Sequence, residues 1–134
     1  ASPQIDILAD KVVSGTPSNT RGMLGFPDGL WDIYGKEIYY TTLHQNSSMD
    51  IKHDIQALPS NGEKLDQLRP VTFVYDDDMT EQKRMGLIYE ETQKVMPEIC
   101  TNSEESKAIN YVELIPALLK EIKDLRRRVA ELER

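Results

Sequence analysis

The stretch 110-NYVELIPALLKEIKDLRRRVAELER-134 decides the architecture. Its apolar residues Tyr111, Ile115, Leu118, Ile122, Leu125, Val129 and Leu132 alternate spacings of four and three, which is a heptad seam. Asn110, with Glu113 three positions on, resembles the pair that caps a helix start. With Ile115, Ile122 and Val129 at position a, the flanking positions set Glu121 against Arg126 and Arg128 against Glu133. These pairs are complementary between parallel neighbours, and the other faces are almost continuously charged. The stripe therefore favours self-association over packing against its own domain. A β-branched a with Leu at d leans towards dimers in isolated coils, so the seam alone leaves the strand number open. Pro116, one turn inside, removes a backbone hydrogen bond and offers a point where the helix can kink.

Upstream, residues 47–109 read as a small α/β unit. IKHDIQAL (51–58) has an ambiguous period and suits either a strand or a short helix. GEKLDQL (62–68) is helical in spacing and stops at Arg69-Pro70, because the residue before proline avoids the α region. VTFVY (71–75) reads as a strand by its β-branched and aromatic content, DDDMTEQ as an acidic turn, and MGLIY (85–89) as a second strand. EETQKVMPEI turns helical and is ended or kinked by Pro97. TNSEESKA is a polar loop.

Residues 1–46 differ in composition. They hold five of the seven glycines, five of the nine aromatics and the only tryptophan, but three of the 16 basic residues. Short alternating runs (QIDILA, GLWDIYG, KEIYYTTL) separated by the turn signals SGTPSN and FPDG read as short strands. Their apolar residues are too few to close a core. The economical expectation is a slender β-structure completed by copies of the same chain, the alternative being a β-meander packed on the C-terminal half.

The totals narrow the function. At 134 residues the chain suits one average domain or two small ones. A hydrophobic fraction of 39% is lean for a soluble protein, which hints that partner chains supply some of the burial. A net charge of −7 argues against nucleic acid as a partner. No apolar run approaches membrane-spanning length and no signal-peptide pattern is evident, so no membrane partner is expected. The single Cys100 excludes an intrachain disulfide. With no Cys/His cluster at zinc spacing, no metal or other cofactor is expected. Asp76-Asp77-Asp78 lacks the ligand spacing of a calcium loop and reads as a solvated turn.

One stretch raises a chemical question. In 44-HQNSSMDIKHDI-55 a lysine follows a serine by five residues. By itself this polar run reads as a solvated hinge. It gains meaning from its place in the chain, because four ordered blocks resemble the peptidase S74 family, the C-terminal intramolecular chaperone domain of phage tailspikes, tail fibres and neck appendages. The family pattern opens with a serine, a lysine five positions on and an isoleucine three beyond, matched here by Ser47, Lys52 and Ile55. A block of the form LxxLRPVxFxY is matched by 65-LDQLRPVTFVY-75, and a GLIAQE…PE block by 86-GLIYEETQKVMPEI-99. A final NYxxLIPLLIxAIKEL helix is matched by 110-NYVELIPALLKEIKDL-125. The resemblance spans 47–134 and leaves out 1–46, which suits a family context where a trimeric β-stem precedes the chaperone.

The resemblance implies an α+β chain in which a β-rich stem end (1–46) precedes a chaperone domain (47–134). That domain comprises an α/β part (47–109) and a helix (110–134) that forms a trimeric coiled coil. It implies a homotrimer that registers its own upstream stem and is released by self-cleavage between Asn46 and Ser47. Such a protein is a virion tail or neck fibre precursor made in the host cytoplasm. Ser47 would be the nucleophile and Lys52 its base, a Ser–Lys variant of triad logic. A lysine is a base only when uncharged, so burial or cationic neighbours must act on Lys52. Two departures stand out: Ser48 occupies the usual Asp position, and Asp50 the usual Arg position. They leave Ser48, four residues before Lys52, as an alternative nucleophile. Asp50, His53 and His44 are candidate accessory groups, whereas Glu90 and Glu91 are expected at a subunit contact. Two rivals remain: a trimerisation cap that never cuts, and the cleaving module of membrane-tethered transcription factors. The acidic charge and β-rich upstream segment speak against the second.

Overall fold

A computed structural model of the chain describes residues 35–134. Two units are distinguished, Ala1–Asn46 and Ser47–Arg134. The expected strands QIDILA and GLWDIYG, and the turns SGTPSN and FPDG, lie at least in part outside the described residues. KEIYYTTL (36–43) is described and is not a strand. A strand is defined by a hydrogen-bonded neighbour, and this segment forms no ladder with any described residue.

The second unit is α+β. Helix α1 (Gly62–Gln67) leads through Arg69-Pro70 into strand β1 (Val71–Phe73), which pairs antiparallel with β2 (Arg84–Gly86) in a two-stranded sheet. Helix α2 (Tyr89–Val95) comes next, then a 3-10 turn at Pro97–Ile99 and the long helix α3 (Tyr111–Leu132). Each expected block from GEKLDQL onward keeps its type, although the strands are shorter than the runs that signalled them. IKHDIQAL is neither strand nor helix: a 3-10 turn at Met49–Ile51 takes its first residue and the rest is irregular. The reason is local. Asp54 sits at φ 53, in the left-handed region that both regular structures exclude.

α3 begins where expected, with Asn110 Oδ1 accepting from the Val112 N–H at 3.2 Å. Pro116 lies inside the helix without ending it. Its missing donor falls early in the helix, where a carbonyl can turn to solvent at little cost. The polar loop 101–108 is closed at its base. Thr101 N–H donates to Ala108 O at 3.0 Å and Asn110 N–H to Ile99 O at 2.7 Å, around an isolated bridge between Cys100 and Ile109. That clasp brings the start of α3 against the Pro97–Ile99 turn.

The core is small: Met96, Ile99 and Ala117 are buried, with Leu65, Leu68, Val95, Cys100, Ile109 and Leu114 packed around them. Within α3 only Ala117 is fully buried, flanked by the half-buried Leu114, Lys120, Glu121 and Asp124. The heptad residues lie on another face. Tyr111, Ile115, Leu118, Ile122, Leu125, Val129 and Leu132 are exposed, from 44% at Leu118 to 85% at Leu132. At 3.6 residues per turn, the two stripes sit roughly 100° apart around the helix. Beyond Tyr111, the apolar seam is therefore not what holds α3 to its own domain.

Candidate functional site at the start of the second unit

Ser47 opens the second unit, and the six residues from it to Lys52 form one compact turn. Ser48, extended at φ −64 and ψ 144, is the N-cap of the 3-10 turn, and its Oγ accepts from the Asp50 N–H at 3.2 Å. Two backbone bonds complete the turn, Ile51 N–H to Ser48 O at 3.3 Å and Lys52 N–H to Met49 O at 3.2 Å. With three residues per turn, such a helix carries the chain once round between its flanks. Lys52 returns over Ser47, and its Nζ donates to Ser47 Oγ at 2.6 Å. Both side chains are exposed, as are Asn46, Ser48, Asp50 and His53.

The two serines thus have separate partners: Ser47 Oγ meets the lysine, and Ser48 Oγ the backbone of the turn. Asp50 contributes its amide to the cap. His53 points to its neighbour, with Nε2 3.6 Å from Asp54 Oδ2 and both side chains almost wholly exposed. His44 is exposed on the residues leading into the turn.

The other candidates are engaged in structural contacts within the chain. Asp78 accepts from Thr80 N–H at 2.9 Å, Thr80 Oγ1–H at 2.6 Å and Gln82 N–H at 3.3 Å. These bonds hold its carboxyl below the usual range, and they make the acidic run a self-capped turn. Glu90 pairs with Lys107 at 3.1 Å and Glu91 with Arg69 at 2.5 Å. Glu121, read from the heptad as half of an interchain pair, instead directs its carboxylate over the first turn of α1. A Cβ on Gly62 would lie 2.8 Å from its Oε2. Among the described residues no group of three or more His, Cys, Asp or Glu is placed to hold a metal.

A separate cleft of about 350 Å³ lies between α1, the Pro97–Ile99 turn and the first turns of α3, lined by Leu58, Asn61, Met96, Ile99, Pro116 and Ala117. Asn61 Nδ2–H donates to Ala117 O at 3.3 Å across its floor. By helical geometry it flanks α3 on the side away from the seam.

Sequence reasoning placed Ser47 and Lys52 together but read Ser48 as a departure, when its hydroxyl shapes the turn between them. A short polar residue just before a three-residue turn was the available signal. The Arg69–Glu91 pair was also missed, because its halves belong to different blocks.

Residues 47–101 match the family model Peptidase_S74, described as chaperone of endosialidase. The match begins at Ser47 and ends before α3. No curated protein matches the chain. The family description carries an intramolecular chaperone role, and the family name a peptidase activity. On the blocks that carry Ser47, Lys52, Arg69, Gly86 and Glu91, residues 47–101 of this chain are similar to the peptidase S74 family, the chaperone of endosialidase.

Proposed function

We propose that this chain is a self-cleaving intramolecular chaperone whose copies trimerise through α3, register an upstream β-fibre stem and are then released by scission between Asn46 and Ser47. The observation that carries the cleavage reading is the 2.6 Å contact between Lys52 Nζ and Ser47 Oγ, directly after the peptide to be cut. Ser47 Oγ attacks the carbonyl carbon of Asn46 while uncharged Lys52 Nζ takes the hydroxyl proton. The Asn46–Ser47 C–N bond breaks, the nitrogen takes a proton back from Nζ, and Asn46 is left esterified to Ser47 Oγ. Water then adds to the ester, freeing the Asn46 carboxylate and restoring the hydroxyl. Nucleophile and scissile bond share one chain, so positioning rather than substrate binding governs the rate. The event occurs once per chain.

In the single chain both partners of this contact are exposed. Activation requires Lys52 to lose its charge, which assembly provides by excluding water around the turn. The exposed seam of α3 supports assembly, because a stripe of seven large apolar residues turned to solvent is costly in a lone chain. Aligning several stems costs entropy before their contacts form, and a helical clamp lowers that cost by raising effective concentration. Scission afterwards leaves the stem without a route back to separate chains. The corresponding setting is a precursor of a virion tail or neck fibre.

The test is expression of the chain joined to its stem. Wild type yields two fragments parted before Ser47, and Ser47→Ala or Lys52→Ala stays whole. A wild-type product that remains intact while assembling into trimers would leave only the non-catalytic cap.

A further inference from the structure

We infer that Ser48 is a positioning residue, whose hydroxyl caps the Met49–Ile51 turn and so holds Lys52 against Ser47. The inference rests on the proposed cleavage and adds the role of the second serine in that site. Three observations carry it. Ser48 Oγ accepts from the Asp50 N–H at 3.2 Å, with Ser48 in the extended conformation of an N-cap. The turn that this cap opens is three residues long, and Lys52 is its C-cap, so cap and base stand at the two ends of one unit. Neither end of the turn is held by packing, since residues 46–56 are exposed throughout.

The last observation gives the cap its weight. A three-residue 3-10 turn has few bonds of its own and is marginal in water. Where no core presses on it, one side-chain bond is a large share of what keeps it closed. Opening the turn lets Lys52 Nζ leave Ser47 Oγ, and the geometry for proton transfer is lost. The cap also turns the Ser48 oxygen to the Asp50 N–H, while Lys52 Nζ meets Ser47 Oγ, the pairing that assigns attack to Ser47. Among the residues that take this role, Asp and Asn cap at least as well as Ser, whereas Ala does not cap at all. An aspartate at position 48 is therefore compatible with the turn while being unable to replace a serine nucleophile.

The experiment compares wild type with Ser48→Ala, Ser48→Asp and Ser48→Asn in the full chain, with Ser47→Ala as the control for the cleavage reading. Scission is followed over time, and the new N-terminus is identified by mass spectrometry. We expect Ser48→Ala to cut about fivefold more slowly, the population loss that a missing N-cap brings. The cut should stay before Ser47, and Ser48→Asp and Ser48→Asn should restore the rate. Proximity is read separately from chemistry, as the nuclear Overhauser contact between Ser47 Hβ and Lys52 Hε in uncut protein. It should weaken in Ser48→Ala and return in Ser48→Asp. An unchanged contact in Ser48→Ala overturns the inference whether or not the chain cuts. Loss of scission in Ser48→Asp together with Ser48→Ala does the same and makes Ser48 the nucleophile. If the wild type never cuts, the cleavage reading fails by itself, and the proximity measurement still decides the role of the cap.

Discussion

Arg69 meets Glu91 with two nitrogens, Nε to Oε2 at 3.1 Å and Nη2 to Oε1 at 2.5 Å. The paired guanidinium holds the Glu91 carboxyl below its usual range. A carboxyl depressed in the folded state adds stability above its unfolded titration range, and that stability is lost as pH falls through the folded value. Both side chains are substantially exposed, so the contribution is modest. Glu91→Gln should therefore change the denaturation midpoint little at neutral pH and flatten its decline in acid. Midpoints measured at a series of pH values check this, and parallel curves for the two proteins would exclude a role for the pair. Glu90 is depressed in the same direction by its own backbone N–H and then by Lys107, and Asp78 and Asp124 by Thr80 and Lys120, so some acid sensitivity persists in the variant. At this scale the sequence was legible where partners are near in the chain. Ser47 and Lys52 stand five apart and meet, whereas Arg69 and Glu91 stand 22 apart and become partners only once α1 and α2 are docked.

Between elements, one joint lies where β2 ends and α3 begins. Tyr111 Oη accepts from the Leu87 N–H at 2.8 Å, so the first residue of the seam also ties the hairpin to the helix. Gly86 makes room for that ring: a Cβ there would stand 2.7 Å from Tyr111 Oη and 3.1 Å from Phe73 Cε1. Gly86→Ala should destabilise the domain by about 1–3 kcal/mol, the usual result of forcing one extra carbon into a filled space. Chemical denaturation reads the loss, and Tyr111→Phe in the same background should recover part of it by removing the nearer clash. An unchanged midpoint would mean that hairpin and helix do not lean on each other. The elements themselves were largely legible, because period and stop signals such as Arg69-Pro70, Pro97 and Asn110 are local. The segment after Lys52 was not, since a left-handed Asp54 overrides its alternation. The strand expected at 36–43 required a neighbouring strand that no pattern within one chain can guarantee.

For the whole molecule, the proportion of core to seam decides how the chain behaves. Only three apolar side chains of the second unit are fully buried, while nine large ones along α3, the seven of the seam among them, face solvent. The heptad was readable at once; the face of α3 that packs at home was not, because Ala117 and Leu114 draw their importance from Met96 and Ile99. The proposed trimer predicts that Ile122→Asp weakens assembly by at least about tenfold in midpoint concentration, corresponding to about 2.7 kcal/mol per trimer, because the midpoint varies as the square root of the trimer dissociation constant. Sedimentation equilibrium measures it, and the fold of each copy, followed by circular dichroism, should survive because Ile122 lies off the core face. A variant that keeps its wild-type mass in solution would remove the clamp from the mechanism. Placing the home stripe and the seam on different sides of one rod has a further effect in the proposed trimer: parting the copies leaves the Met96, Ile99 and Ala117 core of each in place. Dilution and heating then attack separate sets of bonds, so grip between copies can be tightened or loosened by surface substitutions while each copy keeps its own melting behaviour.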